Sequence, residues 1–235
     1  MKKFYKKLSI IIPVYNEKKT IKQILLKINK LRKINKEIII VDDASNDGSL
    51  EIIKKNKKLF SKLIIHKTNK GKGGAIKSAK KYITGDIVII QDADLEYNPK
   101  DYQKLLNCIK NGNNVVYGSR VKGQKRYLLK NFSSFMRIFY NHMLTILSNI
   151  LNNQNLTDAH TCYKMFRTNI FLKFKLEEND FSFCPEITTK LGKKKINIEE
   201  VAISYLGRDY DSGKKIKLID GVKAINTLFK YRFFK

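Results

Sequence analysis

Three acidic residues, Asp92, Asp94 and Glu96, occupy alternate positions in Gln91-Asp92-Ala93-Asp94-Leu95-Glu96, directly after the apolar run 86–90. In extended backbone, residues two apart share a side, so Asp92 and Asp94 can converge on one hard divalent cation with Glu96 next in line. Magnesium or manganese held there could bridge to a diphosphate and stabilise it as a leaving group. A bare acidic pair at this spacing is a weak signal. Its place at a strand end, behind a phosphate-type loop, strengthens it. That loop is Asn69-Lys70-Gly71-Lys72-Gly73-Gly74-Ala75, ahead of a helical pattern. Glycines such as Gly73 permit close approach, a helix start offers free N–H groups, and Lys72 adds charge, which together suit a phosphate. Ile76 stands where a P-loop needs glycine and also breaks the dinucleotide GxGxxG pattern, which excludes both of those templates.

Two further clusters fall at strand ends. Asp42 and Asp43 close the run 37–41, where adjacent acids can accept hydrogen bonds from a nucleobase edge or ribose hydroxyls. Turn chemistry is the competing explanation, and for Asp47 it suffices as a helix cap. Like charges side by side are unfavourable without a partner, so the Asp42/Asp43 pair asks for one. Pro13, Tyr15 and Glu17 lie between the first apolar run and the first helical pattern, where a bent exit could offer backbone groups and a ring to a flat ligand. A helix start with Glu17 complementing the dipole accounts for the same residues.

The elements that must position these groups alternate. Apolar runs at 8–14, 37–41, 63–66, 86–90 and 115–117 read as strands buried on both faces. Between them, Ile21, Ile24, Leu25, Ile28 and Leu31 recur with helical spacing, and similar stripes cover about 49–60, 74–83 and 99–111, the last opening on Pro99. This alternation predicts an α/β fold with a doubly wound, mainly parallel, Rossmann-like sheet, whose ligands sit at the carboxyl ends of the strands. The second half reads as a long amphipathic helix at 131–152, a polar loop, a short run CYKMF, a helix near 185–192, a strand over 196–205 and a last helix at about 216–230. With no repeat and no Pro-, Gly- or Ser-rich linker, one domain over 1–235 is expected. The long helix carries Phe132, Phe135, Met136, Phe139, Met143, Leu144, Leu147 and Leu151 on a broad apolar face, which predicts ordinary core, while the basic, aromatic-tipped C-terminal helix could lie on a bilayer surface.

Composition sets the outer limits. The 235 residues are 43% hydrophobic, enough for a core and too many for a disordered chain. Three distant cysteines, Cys108, Cys162 and Cys184, form neither a disulfide pattern nor a zinc site and suit a reducing compartment. No h-region follows Met1 and no run reaches the ~18 apolar residues of a membrane span, so a cytoplasmic location is expected, with export and membrane insertion disfavoured. The formal charge of +27 draws the chain to anionic surfaces, lipid head groups as well as nucleic acid. A nucleic-acid binder would leave Asp42, Asp43, Asp92 and Asp94 unexplained, so no nucleic-acid partner is expected.

Taken together the clusters resemble the family 2 glycosyltransferases of the GT-A fold, and within them the polyprenyl-phosphate (dolichol-phosphate-type) mannosyl- and glucosyltransferases. The stretches that carry the resemblance are IIIPVYNE, IIIVDDASNDGS, NKGKGGA, DIVIIQDADLEYNP, YGSR (117–120), TDAHTCYKMFR (157–167) and GRDYDSGKKI (207–216), in order along nearly the whole chain. The resemblance implies a nucleotide-sugar half (1–120) and an acceptor half (121–235) with C-terminal acceptor-side helices. It implies that Pro13, Tyr15, Glu17, Asp42 and Asp43 hold base and ribose, that Asp92, Ala93 and Asp94 contact the nucleotide sugar, and that Asp92, Asp94 and Glu96 surround Mg2+ or Mn2+. Relatives often carry Gln or Ser where Glu96 stands.

Arg120, Arg208 and Lys214 match the basic residues that meet the donor diphosphate and an acceptor phosphate. Asp94 and Arg208 join Asp158 as the catalytic set, Asp158 serving as general base for a hydroxyl acceptor or as a positioning group for a phosphate, itself an anionic nucleophile. The implied reaction is metal-dependent, inverting transfer of mannose or glucose from GDP-mannose or UDP-glucose to a lipid phosphate of the undecaprenyl or dolichol type, at the cytoplasmic face of a membrane touched peripherally. A glycan or other hydroxyl acceptor is the alternative within the same fold.

Overall fold

The computed structural model describes residues 5–122, 132–207 and 218–235; side chains 132–137 and 218 are left aside. Arg208 and Lys214, and the helix-face residues Phe132, Phe135 and Met136, therefore lie outside the described side chains. Seven strands form one sheet: β1 (Leu8–Val14), β2 (Lys36–Asp42), β3 (Lys62–Ile65), β4 (Ile87–Ile90), β5 (Val115–Ser119), β6 (Lys164–Arg167) and β7 (Glu199–Ala202). Their order is β3-β2-β1-β4-β6-β5-β7. β1, β2, β3 and β4 pair in parallel, β5 pairs parallel to β7, and β6 runs antiparallel between β4 and β5. The mainly parallel expectation holds, with one reversed strand that the short run CYKMF supplies.

Crossover helices cover both faces. α1 (Ile21–Asn29) buries Ile21, Ile24, Leu25 and Ile28, the stripe expected from its spacing. α2 (Ser49–Lys55), α3 (Gly71–Ala79) and α4 (Tyr102–Lys110) follow, the second of these starting three residues before the predicted position, inside the glycine run itself. α5 (Phe132–Asn152), α6 (Thr168–Lys173), α7 (Phe183–Lys193) and α8 (Leu218–Phe229), which continues as a π-helical turn over Lys230–Phe234, complete the order. Strands β1 and β4 are buried along their whole apolar length because helices lie on both sides, so their isoleucines contribute about 2 kcal/mol each by leaving water.

The core expectation for α5 fails at Phe139 and Met143, which are nearly half exposed, while Thr145, Ser148 and Asn152 are buried. Leu144, Leu147 and Leu151 are half-buried. The cause is hydrogen bonding. Thr145 accepts from the Ala159 backbone N–H at 3.3 Å, and Asn152 donates to Ser148 and to Thr189 of α7 at 3.3 Å, so the polar side of α5 faces the protein.

Candidate active site

The chemistry gathers where β1, β2, β4 and β5 end. Beyond β4, buried Gln91 accepts from the hydroxyls of Tyr102 (2.7 Å) and Tyr163 (2.6 Å) and donates to the Asp92 carbonyl at 2.8 Å. This bracing fixes the backbone at Asp92. The Asp92 carboxylate then pairs with the Lys72 ammonium from the first turn of α3, and that same ammonium lies 2.9 Å from Cys162 Sγ. Burial opposes charge on both partners. Each nevertheless keeps the other ionised, Asp92 below the ordinary carboxylate range and Lys72 well above the ordinary amine range. Burial, then the Asp92 charge, push the Cys162 thiol up, so it is an inert neighbour.

Asp94 accepts from the Glu96 N–H at 3.1 Å, and Leu95 between them is left-handed at φ +66°, so the segment turns tightly after Ala93, which is buried. Glu96 accepts from Tyr205 at 2.8 Å, and Tyr205 bridges to Tyr97. Carboxylate oxygens are the donors that a hard cation takes. In this arrangement Asp92 is already neutralised by Lys72 and Glu96 holds Tyr205. Among the described residues no three His, Cys, Asp or Glu side chains are grouped to hold a metal. Oxygen donors of this kind suit magnesium or manganese, but the expected set of Asp92, Asp94 and Glu96 is not gathered into one cluster: Asp92 is paired with Lys72, which leaves Asp94 and Glu96 as the carboxylates that could hold such an ion.

At the end of β5, Arg120 donates to Asp158 through Nε (2.7 Å), Nη2 (2.8 Å) and its backbone N–H (3.0 Å). Both groups are buried. Burial would weaken the guanidinium's charge, but Asp158 beside it holds the Arg120 proton well above the ordinary range. Glu200 in turn accepts from the backbone N–H groups of Thr157 (2.7 Å) and Asp158 (3.0 Å). Both Asp158 oxygens are engaged by Arg120, an arrangement that holds the guanidinium in place. Arg120 also stacks over the Tyr205 ring, 5.2 Å from its centroid.

The exits of β1 and β2 face each other. Asp42 is wholly buried; its Oδ2 accepts from the Ser45 N–H at 3.2 Å, while Oδ1 has no hydrogen-bond partner. Burial pushes its carboxyl up. Tyr15 is exposed beside it and Pro13 half-buried, whereas Glu17 is buried, accepts from the Thr20 hydroxyl at 2.7 Å and starts α1 through its carbonyl. Asp47 accepts from the Ser49 N–H at 2.9 Å but precedes Gly48, which is the N-cap of α2, so it supplies turn chemistry at the helix start rather than the cap expected of it.

Two residues also carry structural work. Asp43 accepts from the backbone N–H groups of Lys70 (2.8 Å) and Gly71 (2.7 Å) and bonds His66 at 2.6 Å, so it anchors the glycine run to β2. A Cβ at Gly73 would meet the Glu178 carbonyl, and Gly71 at φ +77° abuts Asn179. Packing against 178–180 therefore requires these glycines, where approach to a phosphate was expected. That segment is braced by buried Glu186 of α7, which accepts from the N–H groups of Glu177 (2.7 Å) and Glu178 (3.0 Å). Gln91 and Glu200 act through partners far along the chain and Glu186 through the loop just ahead of its helix, and sequence reading singled out none of these roles. Only an acid inside a predicted strand, at Glu200, hinted at one.

A family model described as Glycosyl transferase family 2 matches residues 9–174. The dolichol-phosphate mannosyltransferase of Pyrococcus furiosus is 38% identical over 122 residues, which are 51% of this chain and 35% of that protein, so the chain spans about a third of its length. The UDP-N-acetylglucosamine–dolichyl-phosphate N-acetylglucosaminyltransferase of Methanococcus voltae is 31% identical over 247 residues, 96% of each chain. Among solved structures, glucosyl-3-phosphoglycerate synthase from Mycobacterium tuberculosis superposes with a TM-score of 0.70 at 16% identity, covering 96% of this chain and 80% of that one. Other structures of that enzyme are described with Mn2+ or Mg2+ and uridine diphosphate.

Proposed function

The chain belongs to glycosyl transferase family 2 and is a glycosyltransferase of the GT-A fold, and from that premise we propose that it moves a sugar from a nucleoside-diphosphate sugar to a polyprenyl phosphate, with residues 1–120 holding the donor and 121–235 the acceptor. The observation that carries the reading is the Lys72–Asp92 pair. A buried ammonium at the first turn of a helix, set against the acid that ends β4, is where a donor diphosphate would exchange one anionic partner for another. Asp42, with an unpartnered oxygen beside exposed Tyr15, suits a base N–H.

In the proposed reaction an acceptor phosphate oxygen bonds to the anomeric carbon on the face opposite the diphosphate. The bond from that carbon to the diphosphate oxygen breaks, its electron pair leaves with the diphosphate, and the configuration inverts. Lys72 and Arg120 are the cations placed to meet the departing charge. Mg2+ or Mn2+ at Asp94 and Glu96 would add Lewis-acid charge to the same leaving group. Arg208 and Lys214 enter for the acceptor phosphate on sequence resemblance alone. The site of action is proposed as the cytoplasmic face of a membrane, touched peripherally; no helix among the described residues is long and apolar enough to cross one.

The test incubates the full chain with labelled GDP-mannose, UDP-glucose or UDP-N-acetylglucosamine and either a short polyprenyl phosphate in detergent or an oligosaccharide, with and without manganese. One donor is expected to label the lipid phosphate, and Asp94→Ala to abolish transfer while keeping the thermal melt. Label entering only the oligosaccharide would replace the acceptor, and full turnover in Asp94→Ala would remove the cation.

A further inference from the structure

Three segments that are separate in sequence meet at the imidazole of His66. The residue stands directly after β3, and its backbone N–H donates to the Asp42 carbonyl at 2.9 Å. Its Nδ1 lies 2.6 Å from Asp43 Oδ1, and its Nε2 lies 2.8 Å from the Ser78 hydroxyl of α3. His66 and Asp43 are both buried. A carboxylate only accepts, so the proton of the first bond sits on Nδ1. The order Ser78, His66, Asp43 matches that of a hydrolytic triad. Here, however, the Ser78 hydroxyl donates to the Gly74 carbonyl at 3.1 Å within its own helix, and Asp43 also takes the Lys70 and Gly71 N–H groups, so the chain of bonds is a clamp rather than a nucleophile. The segment 178–180 holds the same helix start independently, since the Gly74 N–H donates to the Asn179 carbonyl at 2.9 Å. Lys72 lies between these two anchors.

We propose that His66 is a positioning residue: it locks the first turn of α3 to the exits of β2 and β3, and so sets where the Lys72 ammonium meets the donor diphosphate. The second half of that statement rests on the proposed donor reading, the first does not. One carboxylate that accepts from two successive backbone N–H groups fixes both the place and the direction of a helix start. It does so only while its own rotamer is held, and among the described residues the His66 ring is the side chain that bonds it. Without that bond Asp43 can turn and release the two N–H groups. A displacement of the helix start by about 1 Å would carry Lys72 out of reach of the charge-assisted bonds that a diphosphate needs. The backbone bond to Asp42 extends the clamp to the proposed base site, where Asp42 Oδ1 has no hydrogen-bond partner, so His66 sets the two ends of a nucleoside diphosphate relative to each other. At 7% exposure the ring acts through these groups rather than by touching the donor.

The test is titration calorimetry of UDP and of GDP against the full chain and its variants, alongside hydrogen exchange at the Lys70 and Gly71 amides. His66→Ala is expected to weaken the better-bound nucleotide about tenfold and to speed exchange at those two amides. His66→Asn, whose side-chain amide can still donate to Asp43 in place of Nδ1, should recover most of both. Ser78→Ala cuts only the outer bond of the clamp and is expected to weaken binding about threefold, which keeps the comparison available should His66→Ala fail to fold. In a Lys72→Met background, His66→Ala should weaken binding no further, because the group it positions is gone. Undiminished binding in His66→Ala, or in Ser78→Ala where His66→Ala does not fold, overturns the proposal, as does a loss that adds in full to that of Lys72→Met. Faster exchange at Lys70 and Gly71 in a chain that binds neither nucleotide would sink the donor reading and leave the anchor standing.

Discussion

Lys72, in the first turn of α3, is bonded to Asp92 at the end of β4, across twenty positions of sequence, in a corner where neither side chain is more than 17% exposed. An ion pair so enclosed must be kept or exchanged as a whole, because either charge left alone is costly. Replacement by an incoming diphosphate satisfies that condition for Lys72. Lys72→Met is therefore expected to weaken nucleoside-diphosphate binding about a hundredfold, measured by titration calorimetry. It should also lower stability by ~3 kcal/mol by stranding Asp92. Adding Asp92→Asn should restore most of the stability and none of the binding. Undiminished binding in the single variant would show that Lys72 only serves the fold.

Asp158 and Arg120 give a second discriminating case. A general base and a positioning acid both lower turnover when removed, but only the base shapes the pH profile. Because both Asp158 oxygens are bound to Arg120, Asp158→Asn is expected to cut kcat about a hundredfold while leaving the profile of kcat against pH unchanged in shape. Loss of the acidic limb of that profile would restore Asp158 as a base.

Asp42 carries a cost to folding. Burial pushes its carboxyl up, so the folded state binds its proton more tightly than the unfolded chain does, and ionisation at neutral pH works against folding. Asp42→Asn should leave the melt unchanged or raise it, and should weaken nucleotide binding at least about tenfold. A destabilised variant with intact binding would make Asp42 a structural acid.

The parts of the fold legible in sequence are those that local pattern determines. β1 falls on Leu8–Val14 as read, and α1 buries the stripe its spacing marks. The insertion of β6 between β4 and β5 was not legible, since nothing in KMFR encodes which neighbour it meets. At the site, residue chemistry pointed to strand ends, but the partners those residues meet did not follow from it. That Asp43 serves the Lys70 and Gly71 N–H groups, and Lys72 serves Asp92, depends on distances between chain segments far apart in sequence. Periodicity identified an apolar face on α5 without saying what covers it, because core and lipid reward the same spacing.

The half-buried imidazole of His160, whose Nε2 is shielded from solvent, supplies a pH dependence of defined sign. Burial, then the Lys164 charge, lower its pKa to about 4 from the ordinary 6.5, and its Nε2 has no hydrogen-bond partner. The folded protein therefore keeps this ring neutral while an unfolded chain takes up a proton as the pH falls through 6.5. Its contribution to stability is full above 6.5, declines between 6.5 and 4, and is gone below the folded value. The slope approaches about 1.4 kcal/mol per pH unit and the whole change comes to roughly 3 kcal/mol. Urea unfolding of wild type and His160→Gln across pH 7.5 to 4.5, on the order of ten points, isolates the effect, since carboxylates titrate alike in both. The variant is expected to lose stability less steeply in that window. Parallel curves would mean that the ring is charged in the fold, and would require an acidic partner for it.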